Sequence, residues 1–178
     1  MPKLPTRLAY SYCYFNSPIG QLALVAEDKS LVAVCLLSEE LEFLKTSWGG
    51  NWNPNMNGVL DQTVKQLSEY FAGMRTSFDL PLKFIGTAFQ KRVWETLLTI
   101  PYGATKSYGD QAKLIGQPKA ARAVGSANGK NLLAIIVPCH RIIGSNGGLG
   151  GYGGGLDRKR WLLALEEKSA KRLLMEKS

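Results

Sequence analysis

Three short apolar stretches open the chain, at 8–15, 21–26 and 31–37, rich in Leu, Val, Ala, Tyr and Phe. Asn16-Ser17-Pro18-Ile19-Gly20 separates the first pair and Glu27-Asp28-Lys29-Ser30 the second. Strand-length runs joined by turn-length polar connections predict an antiparallel meander. The period then changes. Residues 39–48 predict a helix, and the Gly, Asn and Pro of 49–55 read as a loop. Val59, Leu60, Val64, Leu67 and Phe71 recur at helical spacing. Gly73 stands where that helix would stop. Phe78 to Leu82 predicts one more strand. Residues 1–86 therefore read as a small α+β domain, with a boundary at Lys83-Phe84-Ile85-Gly86 and a second domain over 87–178.

Helical signals dominate the second domain. Thr87 precedes a helix carrying Phe89, Val93, Trp94, Leu97 and Leu98, ended by Pro101-Tyr102-Gly103. Ser107 reads as an N-cap with Asp110 three residues on, opening a short helix to Ile115. Gly116-Gln117 makes a turn, and Pro118 suits the first position of the next helix, predicted from Pro118 to about Ala127. Two short helices across a glycine turn form a helix-turn-helix pattern. Ala120, Ala121, Ala123 and Gly125 keep the second helix slim, so Lys119 and Arg122 can reach a nucleic-acid backbone or its bases. The same pattern suits a packed helix pair in any small domain. Leu132 to Val137 is an unbroken apolar run, predicted to be buried and extended. A glycine-rich loop follows at 144–155. Asp157 then starts a basic helix whose apolar stripe is Trp161, Leu162, Leu165, Leu173 and Leu174. Lys168, Lys171, Arg172 and Lys177 beyond Glu167 read as a solvated face.

Charge adds a direction to this picture. Residues 1–86 hold 7 Lys and Arg against 8 Asp and Glu, whereas 87–178 hold 15 against 6. A neutral first domain and a basic second one suit a polyanion met by the second, although a basic surface also serves solubility. No apolar run spans a membrane, and Met1-Pro2-Lys3-Leu4-Pro5 carries no secretory core, so an intracellular, cytoplasmic protein is expected, nucleoid-associated or nuclear according to its source. The three cysteines, Cys13, Cys35 and Cys139, make no disulfide framework, and a lone histidine, His140, leaves no four-ligand zinc set. Cys13 and Cys35 sit in strand-like runs and read as small buried hydrophobes.

Cys139 differs. It lies where a buried run ends, after Pro138 and before His140-Arg141, where neighbouring positive charge favours thiolate. A thiolate is suited to attack at saturated carbon. Adjacent residues of an extended chain face opposite ways, so His140 reaches the thiol only through a sharp turn or a bridging water. Glu166 is a candidate to orient the imidazole, as the third member of a nucleophile–base–orienter chain. Taken alone it reads as a solvated helix-end acid.

Pro138-Cys139-His140-Arg141 followed by Ile-Gly resembles the active-site signature of the O6-alkylguanine-DNA alkyltransferases. The similarity runs over about 87–167, through Phe89, Trp94, Ile100-Pro101-Tyr102-Gly103, Ser107-Tyr108-Gly109, the run 118–125, Asn128, Asn131, Gly151-Tyr152, Trp161-Leu162-Leu163 and Glu166. The resemblance implies an N-terminal ribonuclease-H-like α/β roll followed by a mostly helical, winged-helix-like DNA-binding domain. It implies irreversible, single-turnover transfer of an alkyl group from O6 of guanine, or O4 of thymine, to Cys139, with the damaged nucleotide flipped out of duplex DNA. No metal or cofactor is expected to take part, and a monomer is expected until the protein meets DNA. In this scheme His140 takes the Cys139 proton through a water, Glu166 orients His140, and Asn131 holds the active-site turn. Tyr108 helps rotate the nucleotide and protonate the leaving guanine. Arg122 fills the vacated stack. Tyr152 walls the base pocket, the Gly153 amide binds the base oxygen, and the carbonyls of Cys139 and Ile142 accept from the base amino group. Gln90, Gln117 and Ser145 contact the DNA backbone. The chain departs from the family pattern at Leu132, Ala134 and Gly153, and its loop 147–155 is unusually glycine-rich. These departures bear on pocket size and leave the nucleophile in place.

Overall fold

The computed structural model describes residues 8–176. The segment Met1-Pro5 and Lys177 lie outside them.

β1 (Ala9–Ser17), β2 (Gly20–Glu27) and β3 (Ser30–Cys35) form the expected antiparallel meander. β2 and β3 read as nearly continuous apolar runs because both of their faces are covered. Leu22, Leu24 and Ala26 face the main core, whereas Ala23 and Val25 face a second cluster closed by α1 (Ser38–Trp48). α2 (Gly58–Phe71) covers the first face with Val59, Leu60, Leu67 and Tyr70, its N-terminus capped by the Asn57 side chain. Gly73, at φ +69°, stops that helix as expected.

Two expectations need correction. The segment read as a loop at 49–55 contains a fourth strand, β4 (Asn51–Pro54), parallel to β1 at the edge of the sheet. Its composition is poor for a strand. Trp52 overrides that by stacking on Tyr10 with ring centroids 4.5 Å apart. Conversely, Phe78 to Leu82 forms no strand. It touches β3 at one bridge, Leu31 to Leu82, where Leu31 donates to the Pro81 carbonyl and Lys83 donates back. Pro81 has no N–H with which to extend a ladder.

The second domain opens with α3 (Ala88–Leu97), capped by Thr87 and Gln90 acting reciprocally. β5 (Lys106–Ser107) leads into α4 (Tyr108–Leu114), whose Ser107 and Asp110 make the expected capping box. α5 runs from Ala121 to Asn128, three residues later than Pro118. Residues 117–120 instead close a turn, with the Ala120 N–H donating to Gln117 O at 2.9 Å. Buried polar side chains fasten this helix-turn-helix. Gln111 and Asn128 bond amide to amide at 2.7 Å, and Trp94 Nε1 donates to Ala127 O at 2.9 Å.

The run 132–137 is buried beyond Leu132 but not extended. Leu133 bridges Val34 of β3, and the chain then folds back so that Val137 donates to Leu133 O, with Ile135 at φ +72°. Cys139–Arg141 is one 3-10 turn, followed by β6 (Ile142–Ile143) parallel to β5. The last helix is α6 (Leu156–Met175). Two expectations for it change. Leu174 is exposed rather than part of the apolar stripe, and Arg172 is no merely solvated residue, since it donates to Gly73 O at 2.6 Å. One continuous core joins sheet, α2 and the second domain. None of the helices among the described residues is long and apolar enough to cross a membrane.

Candidate active site

The site is assembled from the 3-10 turn, α6, α2 and the loop before β5. Glu166 sits on α6 and is fully buried, which corrects the solvated-acid reading. Its Oε1 accepts from His140 Nε2 at 2.8 Å, Tyr70 Oη at 2.8 Å and Arg141 at 3.0 Å. Its Oε2 accepts from Arg141 Nε at 2.9 Å and the Gly103 N–H at 3.1 Å. Gly103 is at φ +75°, and a Cβ there would stand 2.8 Å from Ala170, so only glycine lets the loop come this close to α6. Burial alone would raise the Glu166 pKa, but the hydrogen bonds from His140 and Arg141, with the Arg141 charge, outweigh it and hold the carboxyl at about 2.

An ionised carboxylate can only accept. His140 must therefore carry its proton on Nε2, which leaves Nδ1 as the free lone pair of the ring. Nδ1 is buried and has no partner among the described residues. Burial lowers the His140 pKa and Glu166 opposes it, so the ring rests neutral.

Cys139 opens onto a cavity of about 290 Å³. Asn131, Ala134 and Tyr152 line it beside the thiol, and Leu36, Glu40 and Phe43 of the first domain close it on another side. Asn131 clamps the turn, donating from Nδ2 to Val137 O at 2.8 Å and accepting the Leu133 N–H at 3.0 Å. The expectation of a thiolate favoured by a cationic pair is overturned. Burial pushes the thiol pKa up, against the Asn131 hydrogen bond and the Lys159 charge, which lower it. The cationic pair is absent because Arg141 turns inward to Glu166 and Ile100 O while His140 is neutral. Burial also pushes up the other two cysteines, Cys13 to about 11 and Cys35 to about 12. Cys35 borders the same cavity from β3, but the chain's one imidazole stands next to Cys139 instead; Cys13 does not reach the cavity.

Tyr108, the first residue of α4, reaches over the glycine loop, its hydroxyl 3.4 Å from Gly151 O. Burial and the nearby Cys139 raise its pKa, so it keeps its proton. Tyr152 lines the cavity with its hydroxyl buried and unpaired among the described residues. The next residues, Gly153 and Gly154, bring the loop against the first domain, where a Cβ on Gly154 would overlap Leu36 Cδ1. Arg122 lies exposed on α5, and Gln117 and Ser145 are exposed in loops. The Gln90 side-chain oxygen is already taken by the Thr87 N–H. The Ile142 carbonyl likewise already accepts from Lys159 Nζ at 2.5 Å.

Three residues of the site carried no sequence signal of their role. Lys159 is wholly buried, and its ammonium also donates to the carbonyls of Leu149 and Gly151, so one cation pins the glycine loop to β6. Arg141 reads in the sequence as a charge beside the thiol, and Tyr70 as one more position of α2. A lysine two residues before Trp161-Leu162-Leu163 invites a solvated reading, and only its partners reveal otherwise.

A four-stranded sheet domain joined to a helix-turn-helix, with a cavity-lining cysteine beside a buried His–Glu pair, defines a two-domain α+β class with one thiol next to an imidazole. Residues 10–84 match the family described as 6-O-methylguanine DNA methyltransferase, ribonuclease-like domain, and residues 88–168 its DNA binding domain. The chain belongs to the 6-O-methylguanine DNA methyltransferase family. It is 52% identical over 159 residues to the methylated-DNA–protein-cysteine methyltransferase of Mycobacterium bovis, covering 89% of this chain and 93% of that protein. It is 47% identical over 156 residues to that of Methanosarcina acetivorans, covering 87% and 97%. The Mycobacterium tuberculosis OGT, solved in complex with DNA, superposes with a TM-score of 0.80 at 51% identity, covering 89% of this chain and 94% of that one.

Proposed function

We infer that this chain repairs alkylated DNA by direct reversal, taking an alkyl group, a methyl in the first place, from O6 of guanine onto Cys139. The observation that carries the reading is the Cys139 thiol at the wall of a cavity, next in the chain to an imidazole whose one free nitrogen is Nδ1. In the reaction the thiol proton passes through a water to His140 Nδ1, and sulfur bonds to the alkyl carbon as the carbon–O6 bond breaks. The base recovers its carbonyl and gains an N1–H as Tyr108 donates during departure; solvent then reprotonates Tyr108 and takes up the proton held by His140. Glu166 stabilises the imidazolium that forms. The raised thiol pKa suits this order, because the nucleophile stays protected until a base and substrate are both in place. A thioether has no easy leaving group, so each molecule acts once.

Duplex DNA meets the basic second domain, and Arg122 on slim α5 enters the stack in place of the flipped nucleotide. Gln117 and Ser145 touch phosphates. Gln90 contributes through its amide nitrogen. The Gly153 amide and the carbonyls of Cys139 and Ile142 grip the base edge, with Tyr152 as one wall. The domain boundary lies at 86/87, and the protein works inside the cell as a monomer before it meets DNA. The test is an intact mass after incubation with duplex DNA carrying O6-methylguanine. One added methyl on Cys139, absent in Cys139→Ala, is expected; several turnovers or no adduct would overturn the assignment.

A further inference from the structure

Tyr70 belongs to the first domain, 96 residues from Glu166 in sequence, and is wholly buried. Its ring is held by Phe71, Phe78 and Tyr102, the last edge-on at 6.0 Å. That packing aims the hydroxyl at one atom, Glu166 Oε1, which also accepts from His140. Burial and the carboxylate's charge keep the phenol protonated, so it is a fixed donor. We propose that Tyr70 is a positioning residue of the first domain that sets the basicity of His140 by sharing the carboxylate oxygen on which its imidazole rests. This rests on the function proposed for the site, in which His140 Nδ1 receives the Cys139 proton.

Three donors compete for the charge on Oε1, and each withdraws density from the other two. Without the Tyr70 hydroxyl, the His140 Nε2–H bond strengthens and the imidazolium becomes easier to form. The remaining charged and titratable groups around the pair are Arg141 and Cys139 on the 3-10 turn, Lys159 on α6, and Tyr102 before β5. None of these changes in Tyr70→Phe, which keeps the ring and its packing. A purely structural tyrosine would alter stability and leave the imidazole alone.

The chain has one histidine, so ¹⁵N-labelled protein reports His140 without ambiguity. In Tyr70→Phe the ring should stay the Nε2–H tautomer while its titration midpoint rises by roughly half a pH unit or more. The acid limb of single-turnover methyl transfer should move the same way. Transfer below the midpoint then slows by up to about tenfold for each pH unit the midpoint moves, and transfer at high pH is spared. Tyr102→Phe also removes a buried hydroxyl, one not bonded to Glu166, and should leave the titration in place. If Tyr70→Phe does not fold, 3-fluorotyrosine at position 70 keeps the ring and donates more strongly, so the midpoint should fall instead. An unmoved His140 titration in the folded Phe variant, or in the fluorinated one, overturns the proposal. Titration is read on the free protein. A wild type that takes no methyl would therefore sink the functional reading without touching this result.

Discussion

Replacing Glu166 by Gln removes one charge and keeps the side-chain volume, in a fully buried place. Arg141, 6% exposed, then keeps its cation with the Ile100 carbonyl and no counter-charge. Stranding one member of a buried ion pair costs about 3–5 kcal/mol. Proton linkage at the carboxyl points to a similar size. Its pKa is about 2 when folded, against 4.5 as the ordinary value. The difference converts to roughly 3 kcal/mol at pH 7. A depressed acid pKa stabilises above the unfolded value and loses that contribution as pH falls through the folded one, here between about 4.5 and 2. By about pH 3, roughly 2 kcal/mol of it should be gone. Urea unfolding of wild type and Glu166→Gln at both pH values measures this directly. The variant should be several kcal/mol weaker at pH 7, with the gap narrowed by about 2 kcal/mol at pH 3. A gap that is small at pH 7, or equally wide at pH 3, would show that Glu166 is not held ionised by these partners.

Three further outcomes are expected. Lys159→Met leaves the carbonyls of Ile142, Leu149 and Gly151 without their shared donor, so stability should fall by about 2–4 kcal/mol and thermolysin should cut 144–155 faster. An unchanged cleavage rate would mean that the ammonium does not pin the loop. Arg122→Ala should slow transfer from duplex DNA far more than from the free modified base, and equal slowing on both contradicts a role in the stack. Cys139 of the free protein should react slowly with iodoacetamide at pH 7 and speed up as pH rises past the ordinary thiol value, because its pKa is raised by burial. Fast labelling at neutral pH, mapped by peptide mass, would show a thiolate at rest.

Much of this protein is written locally. The meander shows in apolar runs broken at Ser17-Pro18 and Asp28-Lys29, and α3 and α4 announce themselves through Thr87 and Ser107. These signals survive because capping and periodicity act over three or four residues. The motif around Cys139 and the order of residues from Phe89 to Glu166 point to the chemistry in the same way. Misreadings occur where distant partners, or a local turn that competes with a helix, decide. β4 exists because Trp52 finds Tyr10, Pro118 stays outside α5 because residues 117–120 close a turn, and 132–137 bends back after one bridge to β3.

Residue type alone settles which atoms can react: a thiol, an imidazole and a carboxylate are legible in the chain before it folds. Their charge states came from tertiary structure. Folding turned Arg141 away from the thiol, surrounded the Glu166 carboxylate with donors, and brought Tyr70 from the first domain and Lys159 from α6 into the same site. A pKa depends on solvation and on every charge within a few ångströms, and those neighbours come from segments up to 96 residues apart. The residues flanking Cys139 suggest a thiolate; the packing around it raises the pKa and keeps the thiol protonated.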